Sequence, residues 1–82
     1  MAMRRKSVDP RVERFCVALG QRIRTLRMER GINQDDFADM VGIQRAHVGL
    51  LENAKVEPRV GTLLLIALAL GIEVAELVQL DG

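Results

Sequence analysis

Apolar residues recur along the chain at spacings of three and four, the period of an α-helix, and strand-like alternation of β-branched residues is absent. Asp9 and Pro10 predict the start of a long first helix, because aspartate caps a helix N-terminus and proline suits its first turn. This helix is expected to end at Gly31, with basic residues in its last turn. Its apolar residues are Val12, Phe15, Leu19, Ile23 and Leu26.

Four shorter helices are predicted after Gly31. Asn33 caps the second helix, and Gly42 separates it from the third. Gly71 ends the fourth and precedes a short fifth. The pattern therefore predicts an all-α fold of five helices in which the first is extended. The expected bounds of the four shorter helices are about 34–40, 42–53, 60–70 and 74–80.

The residue spacing within 34–53 predicts a helix-turn-helix. Two helices that cross steeply need a small side chain where they approach, and Ala38 is placed for that role. A tight turn between them needs a residue that tolerates a positive φ, which suits Gly42. Val48 is then expected to pack the third helix onto the core and to leave its opposite side exposed.

Positive charges concentrate in the first part of the chain. Residues 1–30 hold nine lysines and arginines against three acids, whereas residues 31–82 hold three against eight. This asymmetry fits either a basic end that faces a polyanion or a solvated basic helix. The length predicts one domain over 9–82. A basic arm at 1–8 would precede it, either following a DNA groove or remaining a flexible tail.

The composition disfavours several classes of protein. The single cysteine, Cys16, precludes an internal disulfide and indicates a cytoplasmic protein; a small apolar filler and an intermolecular disulfide are its two possible roles. The longest apolar run, 63–70, is far shorter than the ~20 residues of a membrane helix. His47 has no second ligand nearby in sequence, so neither a metal nor another cofactor is expected. The sequence has no paired carboxylates, no Cys/His/Asp set and no phosphate-binding glycine loop, so an enzyme is not expected.

The fourth predicted helix is apolar on nearly every side. A single buried stripe requires only Leu63, Ile66, Ala67 and Leu70, and no lysine or arginine occurs from this helix onward. An apolar surface without positive charge favours subunit association over DNA binding, so we predict a homodimer formed through residues 60–80. The alternative is that the additional leucines pack under the C-terminal tail. The predicted interface residues are Leu64, Leu65, Leu68, Val74, Leu77 and Val78.

Residues 23–77 resemble the Cro/CI-type family of phage repressors, the lambda-repressor-like transcriptional regulators. The matching positions are Arg27, Gln34, Ala38, Gly42, Glu52, Pro58 and the segment ALALG at 67–71. The resemblance implies a five-helix lambda-repressor-like domain that binds double-stranded DNA. It also implies a homodimer on a palindromic operator, with the third helix in the major groove.

The resemblance assigns DNA contacts by position. Gln34 would begin the second helix beside the DNA backbone, where its amide or the helix N-terminus would bind a phosphate. Asn53, Lys55 and Arg59 would contact further phosphates at the end of the third helix and in the loop after it. The positions that would face base pairs are Gln44, Arg45, Ala46, Gly49 and Leu50.

Arg45 is the strongest candidate for a base contact, because arginine binds O6 and N7 of guanine with two hydrogen bonds. A phosphate contact is its alternative role. Ala46 and Leu50 would contact thymine methyl groups. Arg27 and Glu52 match an ion pair that joins the first and third helices in the family, so a structural role is expected for both.

The chain departs from the family pattern at three positions of this region. Gln44 stands where serine or threonine usually caps the third helix. Ala54 replaces a common glycine and resists the left-handed conformation, so Asn53 is expected to adopt it instead. Gly49 lies inside the helix, either because the backbone approaches DNA closely or because the substitution is simply tolerated.

The function that these features favour is a sequence-specific, homodimeric transcriptional regulator of the controller or repressor type. The alternative is an antitoxin or adaptor that uses the same fold mainly to bind a second protein, such as a toxin or another regulator. A restriction–modification controller, a phage repressor and an antitoxin all fit this sequence equally.

Overall fold

The structure, a computed structural model, describes residues 9–80 and contains helices and loops, with no strand over these residues. The helices are α1 (Pro10–Glu29), α2 (Gln34–Val41), α3 (Arg45–Glu52), α4 (Val60–Leu70) and α5 (Val74–Leu77). They confirm the predicted all-α fold with an extended first helix, although α5 is a single turn that ends before residue 80. The basic arm at 1–8 lies outside the described residues. None of the helices in the described part is long and apolar enough to cross a bilayer.

Both ends of α1 are closed by residues whose types indicate helix ends. The Asp9 carboxylate accepts a hydrogen bond from the backbone N–H of Arg11 at 2.8 Å. The Arg11 guanidinium also pairs with it at 2.7 Å, and these bonds lower the pKa of Asp9. At the other end Gly31 has a φ of 67°, in the left-handed region that glycine adopts without strain. The sequence signals for this helix therefore act locally, at its own termini.

The core lies between α1 and the four shorter helices. α1 packs against α3, α4 and α5, while α2 packs against α3 and α4. Burial of each large apolar side chain contributes about 1.5–3 kcal/mol to folding. The largest fully buried side chains are Leu19, Ile23, Phe37, Val48, Ile66 and Leu77.

The prediction that Leu77 belongs to a dimer interface is wrong. Leu77 is 0% exposed and is part of the core of the protomer. The reason is that α5 has only four residues and packs against both α1 and α4, so its main apolar side chain is covered by the protomer itself. Val74 and Val78 are half-buried against the same core, and only their remaining surface is accessible to a partner.

The apolar stripe predicted along α1 is buried only in its second part. Leu19 and Ile23 are in the core, whereas Val12 and Phe15 are 38% and 42% exposed. α1 has 20 residues, about 30 Å in length, and the helices that pack on it have 11 residues or fewer. Its first turns therefore extend past the helices that pack on it. Cys16, between these turns and Leu19, is buried, and desolvation, with a smaller contribution from Glu57, raises the pKa of its thiol.

The expectation that Asn53 adopts the left-handed conformation after α3 is wrong, because Ala54 adopts it. Ala54 has a φ of 57°, while Asn53 has a φ of −99°. The N–H of Lys55 donates to the carbonyl of Leu50 at 2.8 Å. Asn53 is retained in the helical turn because its side-chain amide donates to the carbonyl of Gly49 at 2.9 Å. The hydrogen bond from Lys55 to Leu50 therefore requires Ala54 to adopt the left-handed conformation, although its Cβ makes that conformation unfavourable.

Ala54→Gly is therefore expected to stabilise the domain by about 1 kcal/mol, because it removes the steric cost of a left-handed alanine. The free energy of unfolding in urea measures this change. As a control, Ala46→Gly at an exposed position inside α3 is expected to destabilise by a similar amount. A loss of stability in Ala54→Gly would contradict the strain assigned to this position.

Candidate nucleic-acid interface

α2 and α3 form the two helices of the motif, and Gly42 forms the turn between them. Gly42 has a φ of 88°, and its N–H donates to the carbonyl of Ala38 at 2.8 Å. Ala38 itself is buried where α2 packs in the core. Val48 and Leu51 are buried on the inner side of α3. The turn and these core contacts fix one side of α3 and leave the other side accessible.

The accessible side of α3 carries most of the positions expected to face base pairs. The N-cap, Gln44, makes no side-chain hydrogen bond to the helix, as its residue type predicts. Leu50 is 41% exposed, so the surface is partly apolar. The exposed residues of this surface are Gln44, Arg45, Ala46, Leu50 and Asn53, with Gly49 half-buried among them. We call these six residues the α3 outer surface.

Gly49 lies in open space. A Cβ added at this position would meet nothing within 4 Å. Glycine is therefore not required here by packing within residues 9–80. The carbonyl of Gly49 accepts two hydrogen bonds from Asn53, one from its side-chain amide at 2.9 Å and one from its backbone N–H at 3.0 Å. The side-chain bond uses one N–H of the Asn53 amide, so its second N–H remains available to another acceptor.

Arg27 and Glu52 form a buried ion pair between α1 and α3. Arg27 Nε is 2.7 Å from Glu52 Oε2, and Arg27 Nη2 is 3.0 Å from Glu52 Oε1. Arg27 Nη1 also donates to the carbonyl of Ile32 at 2.8 Å. Their side chains are only 9% and 3% exposed. A paired carboxylate and guanidinium thus hold the end of α3 against α1 in a fixed orientation.

Gln34 joins this buried pair from the start of α2. Its side-chain amide donates to Glu52 Oε1 at 3.2 Å. One N–H of the amide therefore contacts the protein, and the half-buried side chain is oriented by it. The N-terminus of α2 is also capped, since the Asn33 side chain accepts from the N–H of Asp36 at 2.8 Å. Gln34 is thereby placed next to the C-terminal end of the α3 outer surface.

Two further arginines have structural contacts that the sequence analysis missed. Arg22 Nε and Nη2 donate to the carbonyl of Glu76, at 3.1 and 2.8 Å, and Nε also contacts the carbonyl of Leu77. Arg30 Nε donates to the carbonyl of Leu70 at 2.9 Å. Each guanidinium binds carbonyls at the C-terminal end of another helix, where positive charge is favoured. Some of the positive charges in residues 1–30 therefore stabilise contacts between helices.

Lys55 and Arg59 are exposed on the loop that follows α3. Arg59 is also the N-cap of α4 and makes no side-chain hydrogen bond there. At the N-terminal end of α3, Arg45 Nε lies 3.2 Å from a carboxylate oxygen of Asp35. Among residues 9–80 no group of three histidine, cysteine or acidic side chains is placed to hold a metal ion. The polar chemistry of this region is therefore that of charged and amide side chains.

A second surface lies on α4 and is apolar. Leu64, Leu65 and Leu68 are 50%, 45% and 65% exposed, and Val60 is 84% exposed. We call these four residues the α4 apolar surface. None of its leucines is covered by the described part of the C-terminal segment. The α3 outer surface and the α4 apolar surface differ in chemistry and lie on different helices.

Comparison with known proteins assigns the chain to a family. Residues 23–77 match the family model described as helix-turn-helix. The chain is 34% identical over 62 residues to an immunity repressor protein of Bacillus phage phi105, in a match that covers 76% of this chain and 43% of that protein. The chain thus spans less than half the length of this curated relative.

Two solved structures are similar over most of their length. The restriction–modification controller protein C.AhdI from Aeromonas hydrophila is 37% identical, with a TM-score of 0.74 over 76% of this chain and 94% of that one. The P22 c2 repressor, solved in complex with synthetic operator 9T, is 30% identical, with a TM-score of 0.71 over 77% and 96%. The chain therefore belongs to the helix-turn-helix family. Within that family it is of the Cro/CI type, the class of transcriptional regulators that residues 23–77 resemble.

Proposed function

We propose that this protein is a sequence-specific transcriptional regulator that binds double-stranded DNA with α3 in the major groove. The observation that carries the proposal is the α3 outer surface, an accessible helix side that the core and the Arg27–Glu52 pair hold in one orientation. A major groove admits one α-helix, and base edges are contacted by side chains on its exposed side. The P22 c2 repressor, which shares this fold, was solved bound to an operator.

The side chains divide into base contacts and phosphate contacts. Arg45 is the polar side chain suited to guanine, and Ala46 and Leu50 are suited to thymine methyl groups. The open space at Gly49 allows the backbone of α3 to lie close to the base edges. Phosphate contacts position the protein without specifying sequence. We assign them to Gln34, Asn53, Lys55 and Arg59.

We also propose that the protein acts as a homodimer through the α4 apolar surface, extended by the accessible parts of Val74 and Val78. Contiguous exposed apolar side chains favour association between proteins, and no lysine or arginine follows Arg59 to oppose it. A two-fold dimer presents two copies of α3 about 34 Å apart, one helical turn of DNA. The operator is therefore expected to be a palindrome with half-sites about 10 base pairs apart.

Selection from a library of randomised duplexes, followed by titration, tests the regulator proposal. Fluorescence anisotropy should show a preference of about 10³-fold or more for the selected operator over random duplex. Because phosphate contacts release counterions, affinity for both duplexes should fall steeply between about 50 and 200 mM salt. Equal affinity for the selected and the random duplex would refute the proposal.

Arg45→Ala is expected to weaken operator binding by about 1–3 kcal/mol and to relax the base preference at one position of each half-site. Anisotropy titrations against single-base variants of the operator measure both effects. Lys55→Ala is the matched control, since loss of a phosphate contact weakens binding to every duplex alike. If Arg45→Ala behaves as Lys55→Ala does, Arg45 contacts phosphate and not a base.

Charged substitutions at Leu65 and Leu68 are expected to convert the dimer to a monomer, because burying glutamates in an apolar interface costs more than the interface contributes. Size-exclusion chromatography with light scattering measures the mass directly. Leu50→Glu on α3 is the control, with a similarly exposed leucine that lies outside the α4 apolar surface. A dimer that persists in Leu65→Glu/Leu68→Glu would place the interface elsewhere.

The second candidate function is a protein-binding module, such as an antitoxin or an adaptor. The α4 apolar surface favours it, because that surface would fit a second protein as well as a second copy of the chain. In that case the purified protein would be monomeric and would show no operator preference in the titration. The two measurements described above therefore distinguish the two functions.

A further inference from the structure

An acidic side chain lies next to the side chain best suited to contact a base. Asp35 Oδ1 is 3.2 Å from Nε of Arg45. Asp35 is in the first turn of α2, and Arg45 is the first residue of α3, so the pair joins the beginnings of the two helices of the motif. Both side chains are exposed, at 73% and 64%. A carboxylate is thus present on the surface that we assign to a polyanion.

We propose that Asp35 is a specificity-determining residue, which orients the Arg45 guanidinium toward base edges and disfavours its contact with phosphates. This inference rests on the proposed function, since it concerns the same DNA site. Asp35 is a positioning residue in this account: it acts through Arg45.

The atoms of the ion pair support this role. The contact is an ion pair in which Nε is the Arg45 atom close to Asp35, and within residues 9–80 the terminal groups Nη1 and Nη2 are not paired with an acid. Attraction to the carboxylate favours side-chain conformations that keep Nε near Asp35, so the planar guanidinium directs its terminal groups away from that acid. Two N–H groups in one plane are what O6 and N7 of guanine accept. The pair therefore leaves available the edge that a bidentate base contact requires.

The strength of the Asp35–Arg45 ion pair depends on whether water surrounds it. In the free protein an exposed ion pair is screened by water and contributes little. When α3 enters a groove, water is displaced and the same attraction strengthens, because the local dielectric constant falls. A phosphate that approached Arg45 would instead meet the Asp35 carboxylate and be repelled. Specificity gains from such a repulsive element as well as from attractive contacts.

Asp36 provides a matched control. It lies in the same first turn of α2, is also exposed, and has no ion pair within the described residues. Alanine at either position removes one negative charge and one first-turn acid. The two variants therefore change helix stability and general attraction to DNA alike. They differ in the contact with Arg45.

The test is a titration of the full chain against its selected operator and a random duplex, for Asp35→Ala and Asp36→Ala. Both variants should bind random duplex more tightly, because each loses one negative charge, and Asp35→Ala should gain more, because Arg45 can then contact phosphates. Asp35→Ala alone should lower the ratio of operator to random affinity, by about tenfold, which is within the range of one bidentate base contact. In an Arg45→Ala background, Asp35→Ala should leave that ratio unchanged.

Two results would overturn the inference. The first is an equal change of the ratio in Asp35→Ala and Asp36→Ala, which would show repulsion of phosphates without orientation. The second is a loss of specificity in Asp35→Ala that persists when Arg45 is absent. If the wild-type protein itself shows no operator preference, the proposed function fails, and this inference fails with it. The wild-type titration separates that case from the other two.

Discussion

Gly20→Ala is expected to destabilise the domain by about 2–3 kcal/mol, even though alanine is the better helix former, because the added methyl overpacks a helix contact. A Cβ at Gly20 would lie 2.6 Å from the backbone carbonyl oxygens of Leu51 and Glu52. Backbone atoms cannot rotate away as a side chain does, so α1 and α3 would have to separate. Thermal unfolding followed by circular dichroism should show a midpoint lowered by about 10–20 °C.

Gly49→Ala is the matched control for that experiment. This position also lies inside a helix, but a Cβ there meets nothing within 4 Å. The substitution is therefore expected to stabilise the free protein by up to about 1 kcal/mol. Titration against the operator then distinguishes the two interpretations of Gly49, because only a close approach of the backbone to DNA predicts a loss of affinity. Equal stability changes at Gly20 and Gly49 would contradict the packing described for α1 and α3.

Arg27→Ala is expected to destabilise the domain by about 3–5 kcal/mol, because it leaves the buried Glu52 carboxylate without its counter-charge. Urea unfolding measures this loss. Arg14→Ala, an exposed arginine of the same helix, should change the free energy of unfolding by less than about 0.5 kcal/mol. The comparison isolates the effect of burial from that of removing an arginine from α1.

The double variant Arg27→Met/Glu52→Met sharpens this prediction. Removing both charges should restore most of the stability lost in Arg27→Ala, because no unpaired charge then remains buried. If the double variant is as unstable as the single one, the loss comes from packing and not from the unpaired carboxylate. Operator affinity of the double variant then reports whether the ion pair is needed to orient α3.

The sequence was sufficient for the motif because its signals are local. Gly42 has to adopt a positive φ, and Ala38 has to be small, so residue types at a fixed spacing indicate a helix-turn-helix. Helix ends such as those at Asp9 and Gly31 depend likewise on their own neighbours. The apolar positions Val48 and Leu51 indicate which side of α3 is buried. From these the exposed side follows by the helical period.

What the sequence did not indicate depends on contacts between distant residues. Gly20 and Gly49 are both glycines within helices, and only the packing of α1 on α3 shows that one of them is required by contact. Leu77 resembles any other apolar residue of α5 until the shortness of that helix is known. Arg22 binds carbonyls 54 and 55 residues later in the chain. No local pattern marks such a partner.

Residue preferences alone predicted the wrong residue for the left-handed position after α3, which Ala54 adopts. Residue preferences favour asparagine over alanine in the left-handed region. The chain nonetheless places Ala54 there, because the Lys55 N–H and the Asn53 amide both bond back to α3. Several hydrogen bonds at the end of a helix outweigh the steric cost of one residue.

Amide chemical-shift mapping of the labelled protein with its selected operator tests most directly whether the α3 outer surface contacts base pairs. The largest shifts are expected at residues 44–53 and at the start of α2, with little change at Leu64, Leu65 and Leu68. Random duplex should shift fewer of the α3 amides, since phosphate contacts alone persist there. Shifts centred on α4, or confined to the exposed arginines of α1, would contradict the account.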